Sequence, residues 1–176
     1  MSASVIRLES VDSTNLYVRK GLLDNTLSGR GVVVSRIQTE GYGRAGRAWH
    51  SDNALGLWAT LYFATGGLKV HEMVSAVSKA VSRTLASRGV PARVKFPNDL
   101  VVGQRKICGI LAETFPQGAL AGVGVNLNQS PSDFPEEIRE TATSFLIEKG
   151  EPWPVDDFLE RFLAECGDLE TFSREK

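Results

Sequence analysis

A chain of 176 residues with a net charge of −1, 42% apolar and 23% charged, has the make-up of one globular domain over 1–176 that buries about 70% of its unfolded surface. The near balance of 20 basic and 21 acidic residues excludes a general polyanion binder, so no nucleic-acid partner and no acidic membrane partner are expected. No run approaches about 18 apolar residues, and the N-terminal MSASVIRLES lacks the apolar core of a signal peptide. Cys108 and Cys166 have neither metal-ligand spacing nor a disulfide framework, which leads to the expectation of reduced core thiols and a cytoplasmic setting.

In chain order, Val5 to Glu9 reads as a short strand. Asp12-Ser13-Thr14-Asn15 then supplies helix N-cap chemistry for a helix over Leu16 to Leu23. The apolar run Gly31 to Ile37 is a buried strand, and the β-branched and aromatic run Leu55 to Phe63 is another. Residues 70–88 place Val70, Met73, Val74, Val77, Val81 and Leu85 at three- and four-residue spacing, the signature of an amphipathic helix. Ala92 to Phe96, Asp99 to Val102, Ile107 to Glu113 and Ala119 to Val125 read as strands, with Gly103-Gln104 as a hairpin turn. Beyond Pro131 the character changes. Pro154, Asp156 and Asp157 open a last helix whose apolar face is Val155, Phe158, Leu159, Phe162, Cys166 and Leu169. Consecutive strands without crossover helices predict an α+β fold with a largely antiparallel sheet.

Three segments carry chemistry. The first is the glycine-rich loop Gln38 to Trp49 (QTEGYGRAGRAW), which follows a strand and holds two arginines, Arg44 and Arg47. Glycines let backbone N–H groups close around an anion, and arginine forks suit phosphate or carboxylate. Gly41, Gly43 and Gly46 match the dinucleotide fingerprint G-x-G-x-x-G, but that motif must open a helix. Here AWHSDNALG and another strand follow, so a Rossmann site is excluded by context. The second segment is Lys95 to Leu100 (KFPNDL) with Arg105 to Leu111 (RKICGIL), where an Asn-Asp pair sits among cations. The third is Gly122 to Asn126 (GVGVN), a strand whose glycines allow close approach. His50 and His71 have no metal spacing and no nucleophile beside them, and both stay outside the expected site.

Taken together, DSTN at 12–15, the GxGRxGRxW loop, KFPNDL, RKICGIL and GVGVN resemble the catalytic domain of biotin protein ligases, in family order over residues 5–128. The family commonly has Trp where this chain has Phe96. The resemblance implies a mixed, largely antiparallel sheet flanked by helices, of the class II aminoacyl-tRNA synthetase and biotin synthetase kind. It implies an enzyme that joins biotin to ATP as biotinyl-5'-AMP and then acylates a specific lysine of a biotin carboxyl carrier protein. ATP and Mg²⁺ are the implied cofactors, with Mg²⁺ held mainly by the ATP phosphates. The family often dimerises through this domain's sheet, and the sequence leaves the oligomeric state open.

Carried over residue by residue, the resemblance makes Lys106, Arg44 and Asp99 the catalytic set; it implies that Asn98 and Asp99 position either Mg²⁺ or the incoming lysine amine, with Asp99 as a candidate base. Ser13, Thr14, Asn15, Gln38, Gly41, Tyr42, Gly109 and Gly124 are the implied biotin contacts. Gly109, Ile110, Val123 and Gly124 wall the channel for the valeryl tail. Arg44, Arg47, Trp49, Lys95, Asn98, Lys106 and Asn126 are the implied ATP and adenylate contacts.

Two loop positions depart from the family's frequent arginines, Tyr42 and Ala45. No helix-turn-helix is expected before residue 5 and no SH3-like domain after the last helix, and the segment between Glu113 and Gly122 is short. A lipoate ligase or octanoyltransferase of the same superfamily is one alternative. A weak binding module, or half of a split ligase, is another.

Overall fold

The computed structural model describes residues 4–65 and 67–167. Its elements are β1 (Ser4–Val11), α1 (Thr14–Leu23), β2 (Arg30–Gln38), β3 (Gly56–Phe63), α2 (Val70–Ala86), β4 (Arg93–Lys95), β5 (Asp99–Val102), β6 (Arg105–Phe115), β7 (Gly118–Asn126), α3 (Phe145–Lys149) and α4 (Val155–Glu165). The strands form one seven-stranded sheet in the order β1-β2-β3-β7-β6-β5-β4. Only β1 and β2 run parallel, and the other five pairings are antiparallel. The mixed, largely antiparallel α+β sheet expected from the sequence is the one observed.

The unbroken apolar runs of β2 and β3 follow from a sheet covered on both faces. Val32 and Val34 face a core shared with Met73, Val77, Val81 and Leu85 of α2 and with Phe158, Leu159 and Phe162 of α4. Val33, Tyr62 and Leu120 point the other way, against Val18 and Leu22 of α1. The α2 spacing works as predicted, with Met73, Val77, Val81 and Leu85 buried. The Gly103-Gln104 turn closes the β5–β6 hairpin, with Gly103 at φ +60°.

Helix α1 covers only part of its face. Past Leu120 the strand β7 presents Gly122, which lies under Asn15 in the first turn of α1, and Gly124, which lies under Trp49. The candidate functional site lies there.

Three expectations need adjusting. The 92–96 strand shrinks to three exposed residues at the sheet edge, and Phe96 falls outside it, 89% exposed. Helix α3 has no counterpart in the sequence reading, because five residues are too few to display a period. It is anchored by Phe145, which meets Trp153 edge-on at 4.8 Å, while Trp153 meets Phe158 at 5.0 Å. Leu169, assigned to the face of the last helix, lies outside the described residues.

Candidate active site

The stretch of β7 around Gly122 and Gly124 forms the floor of a cavity of about 310 Å³. Its walls come from the start of α1, the glycine loop, the β4–β5 turn and the segment after β7.

One end of the cavity is a buried polar network. Gln38 Oε1 accepts from the Thr14 backbone N–H at 2.8 Å and from Thr14 Oγ1 at 2.9 Å, and Gln38 Nε2 donates to Ser51 Oγ at 3.0 Å. Thr60 Oγ1 lies 2.8 Å from Thr14 Oγ1 and 2.6 Å from Asn15 Oδ1. Ser13 occupies the N-cap position of α1 without making a side-chain cap, so its hydroxyl is not consumed by the helix. Gly122 is glycine because a Cβ there would stand 2.3 Å from Asn15 Oδ1. Gln38→Ala strands the Thr14 amide and takes one partner each from the Thr14 and Ser51 hydroxyls, which keep Thr60 and Trp49 O. The variant is expected to lose about 1–3 kcal/mol, read as a fall of several degrees in the melting midpoint.

The glycine loop folds back on itself as a short ribbon. Tyr42 pairs with Ala48, Gly43 N–H donates to Arg47 O at 2.8 Å, and Trp49 N–H donates to Gly41 O at 2.8 Å. Ala45 and Gly46 turn the tip at φ +56° and +70°, the left-handed region. Gly41 stands at the base of this ribbon, packed against Ser51 and Trp49, and not at the wall of the cavity. A Cβ there would meet Ser51 Oγ at 2.2 Å, and the residue is not among those lining the cavity. Tyr42, Arg44 and Arg47 do line it.

Trp49 lies across the floor. A Cβ on Gly124 would stand 2.5 Å from its indole, and one on Gly109 would stand 3.0 Å from it. The ring meets Trp58 edge-on at 6.3 Å, and its Nε1–H is buried with no hydrogen-bond partner. An orphaned buried donor inside a cavity is a place for a ligand acceptor.

The other end is cationic. Lys106 Nζ stands 2.7 Å from Asp99 Oδ1 and 5.0 Å above the Trp49 ring. Its direction follows from a register shift between Leu100 and Val101, which pair with Cys108 and Lys106 respectively. The extra residue, Ile107, lets two successive side chains, Ile107 and Cys108, enter the core under α2. Lys106 is thereby turned onto the cavity face, the usual work of a bulge. Its backbone is clamped by Lys106 N–H to Thr141 O at 2.7 Å and Thr143 N–H to Lys106 O at 2.8 Å. Asn98 accepts from Arg44 Nη1 at 3.5 Å and donates to Ile110 O at 2.7 Å, while Asn126 donates to Thr143 O at 3.0 Å.

Of the expected site residues, the fold brings together Ser13, Thr14, Asn15, Gln38, Tyr42, Arg44, Arg47, Trp49, Asn98, Asp99, Lys106, Gly109, Gly124 and Asn126 around this cavity. Lys95 is not among them: it sits exposed on the edge strand β4. Ile110 and Val123 line the cavity, yet their side chains belong to the core on the other face. His50, excluded from the sequence reading, is at the wall. So are Phe134, Ile138, Thr141 and Ala142, from a stretch with no regular period or motif to signal it.

Neither cysteine is a nucleophile in waiting. Cys108 is fully buried in the core, which pushes its thiol pKa up, and burial pushes that of Cys166 up to about 12. Among the described residues no cluster of three or more His, Cys, Asp or Glu could hold a metal ion.

A model of the biotin/lipoate A/B protein ligase family matches residues 8–130, and the chain belongs to that family. The bifunctional ligase/repressor BirA of Bacillus spizizenii is 30% identical over 159 residues, covering 86% of this chain and 49% of the relative. The biotin--[acetyl-CoA-carboxylase] ligase of Mycobacterium tuberculosis is 31% identical over 130 residues, covering 65% of this chain and 44% of the relative. This chain thus spans about half the length of these curated relatives. Among solved structures, the biotin protein ligase of Aquifex aeolicus in complex with biotin and ATP superposes with a TM-score of 0.84 at 27% identity, over 98% of this chain and 73% of that one.

Proposed function

We propose that the chain is a biotin protein ligase catalytic domain, which activates biotin with ATP and transfers it to a lysine of a biotin carboxyl carrier protein. One observation carries the reading. A single cavity holds a buried hydrogen-bonding network at one end and a lysine aimed by a bulge at the other. The solved relative with biotin and ATP, and the relatives named as ligases, support it.

In this reading the Thr14–Gln38–Ser51 network and the Ser13 hydroxyl receive the ureido ring. The valeryl tail runs over Gly109 and Gly124, beside Trp49. A biotin carboxylate oxygen attacks the α-phosphorus of ATP, the bond to the β-phosphate oxygen breaks, and pyrophosphate leaves. Both reactants are anionic, so Lys106, Arg44 and Arg47 offset their repulsion and the charge developing on phosphorus. The lysine amine of the carrier then attacks the acyl carbon, its proton passes to Asp99, and AMP departs. Mg²⁺, which in this reading the ATP phosphates would mainly hold, would offset further phosphate charge. The two free thiols fit a reducing compartment such as the cytoplasm. No helix among the described residues is long and apolar enough to cross a membrane.

The test is biotin-dependent exchange of labelled pyrophosphate into ATP by the purified chain, with lipoate and octanoate in parallel. Exchange with biotin alone is expected. Exchange with lipoate or octanoate instead moves the chain to a sister activity, and no exchange with any acid leaves a binding module or half of a split enzyme.

A further inference from the structure

The glycine loop rests on the sheet through few side chains. Residues 44–48 are exposed, and beneath the loop lies an open hollow lined by Tyr42 to Arg47 on one side and by Leu111 and Glu113 of β6 on the other. Two side-chain hydrogen bonds cross from loop to body at this point. Tyr42 Oη donates to Glu113 Oε1 at 3.4 Å, and Arg44 Nη1 donates to Asn98 Oδ1 at 3.5 Å. Both are long, and so individually weak.

The Glu113 end of the first is not left loose. Its other carboxylate oxygen, Oε2, is ion-paired with Arg19 Nη2 of α1, and the Glu113 side chain is only 20% exposed. Glu113 pairs across the sheet with Leu120, on the face that α1 covers. The helix therefore fixes the carboxylate, and the carboxylate presents an acceptor to the loop. The chain of contacts runs α1, β6, loop.

We infer that Arg19 and Glu113 are positioning residues that hold the glycine loop down through Tyr42, and so set how long an activated acyl group stays sheltered from water. This rests on the ligase reading for its chemical consequence, though not for the tether itself. Neither residue touches the cavity that holds the reactants. Removing either frees the loop without removing a contact to substrate.

Two measurements on the whole chain test it. In the first, trypsin cleavage after Arg44 and Arg47 is timed without ligand and mapped by mass spectrometry for wild type, Glu113→Gln, Arg19→Ala and Tyr42→Phe. Each single change is expected to speed cleavage about three- to tenfold. The Glu113→Gln/Tyr42→Phe double variant should be no faster than the faster single one, since both act on one tether, the first by removing the charge that Arg19 holds and the second by removing the loop's donor. In the second, AMP release is followed with biotin and Mg-ATP and no carrier protein, beside the rate of pyrophosphate exchange. Glu113→Gln and Arg19→Ala are expected to raise uncoupled AMP release about three- to tenfold and to leave exchange close to wild type. Unchanged cleavage and unchanged AMP release overturn the inference. So does a parallel fall of exchange and melting midpoint, which would make the pair merely structural. If wild type itself exchanges nothing, the ligase reading fails, while the cleavage series still decides whether the tether exists.

Discussion

Replacing Lys106 by alanine is expected to cut biotin-dependent pyrophosphate exchange by about a hundred- to a thousandfold, the cost of one pre-aimed charge at a developing anion. The fold should survive. The Lys106 side chain is 35% exposed, that of its partner Asp99 29%, and the backbone clamp to Thr141 and Thr143 does not use the side chain. Loss of the pair itself therefore costs little stability. The measurement is exchange kinetics beside a thermal melt of the same preparation. Lys106→Arg should not rescue, because a planar fork in place of a compact ammonium cannot keep both the Asp99 contact and the seat over Trp49. Normal exchange in Lys106→Ala would shift the catalytic burden to Arg44 and Arg47.

Gly124→Val is expected to weaken biotin binding by about ten- to a hundredfold, following the usual 1–3 kcal/mol of overpacking. The first atom of any side chain at this position would lie 2.5 Å from the Trp49 indole, and a branched one also fills the floor that the acyl tail crosses in the proposed ligase reading. Trp49 must move, and with it the loop that ends there. Calorimetric titration of biotin checks the affinity. Trp49→Ala in the Gly124→Val background gives back room at the cost of a wall, and partial recovery of binding there would locate the damage in the clash.

The elements were largely legible because their signals are local. A run such as VVV in β2 and the three-four spacing of α2 need no knowledge of the rest of the chain, and both stand as read. The three segments that hold most of the site were legible for a similar reason, since glycines and cations cluster in them, while the individual residues came from the resemblance to the biotin protein ligases. What escaped depends on pairing. Lys95 lies four residues from Asp99, but β4 turns it out along the sheet edge, so nearness in sequence did not become nearness in the cavity. The alternation that sends Gly122 and Gly124 into the cavity sends Val123 into the core, so its wall is backbone and not side chain. The side on which Lys106 falls depends on the bulge opposite Leu100 and Val101, which strand propensity cannot announce. Phe134, Ile138, Thr141 and Ala142 sit in a stretch of irregular turns, held by backbone bonds to Lys106 and lacking any period.

The strand order has a consequence for how the molecule acquires its chemistry. The meander β5-β6-β7 forms from neighbours in sequence, whereas β3 joins β7 only after the chain between them, including α2, has been arranged. Such distant pairings close late and slowly, because loop entropy is spent before the contact is made. The floor of the cavity straddles that seam. Gly122 and Gly124 come from β7, Thr60 and Trp58 are their respective partners on β3, and Leu111 and Gly109 their respective partners on β6. Recovery of ligand binding during refolding should therefore coincide with the last cooperative phase, which makes binding a direct clock for the closure of the sheet.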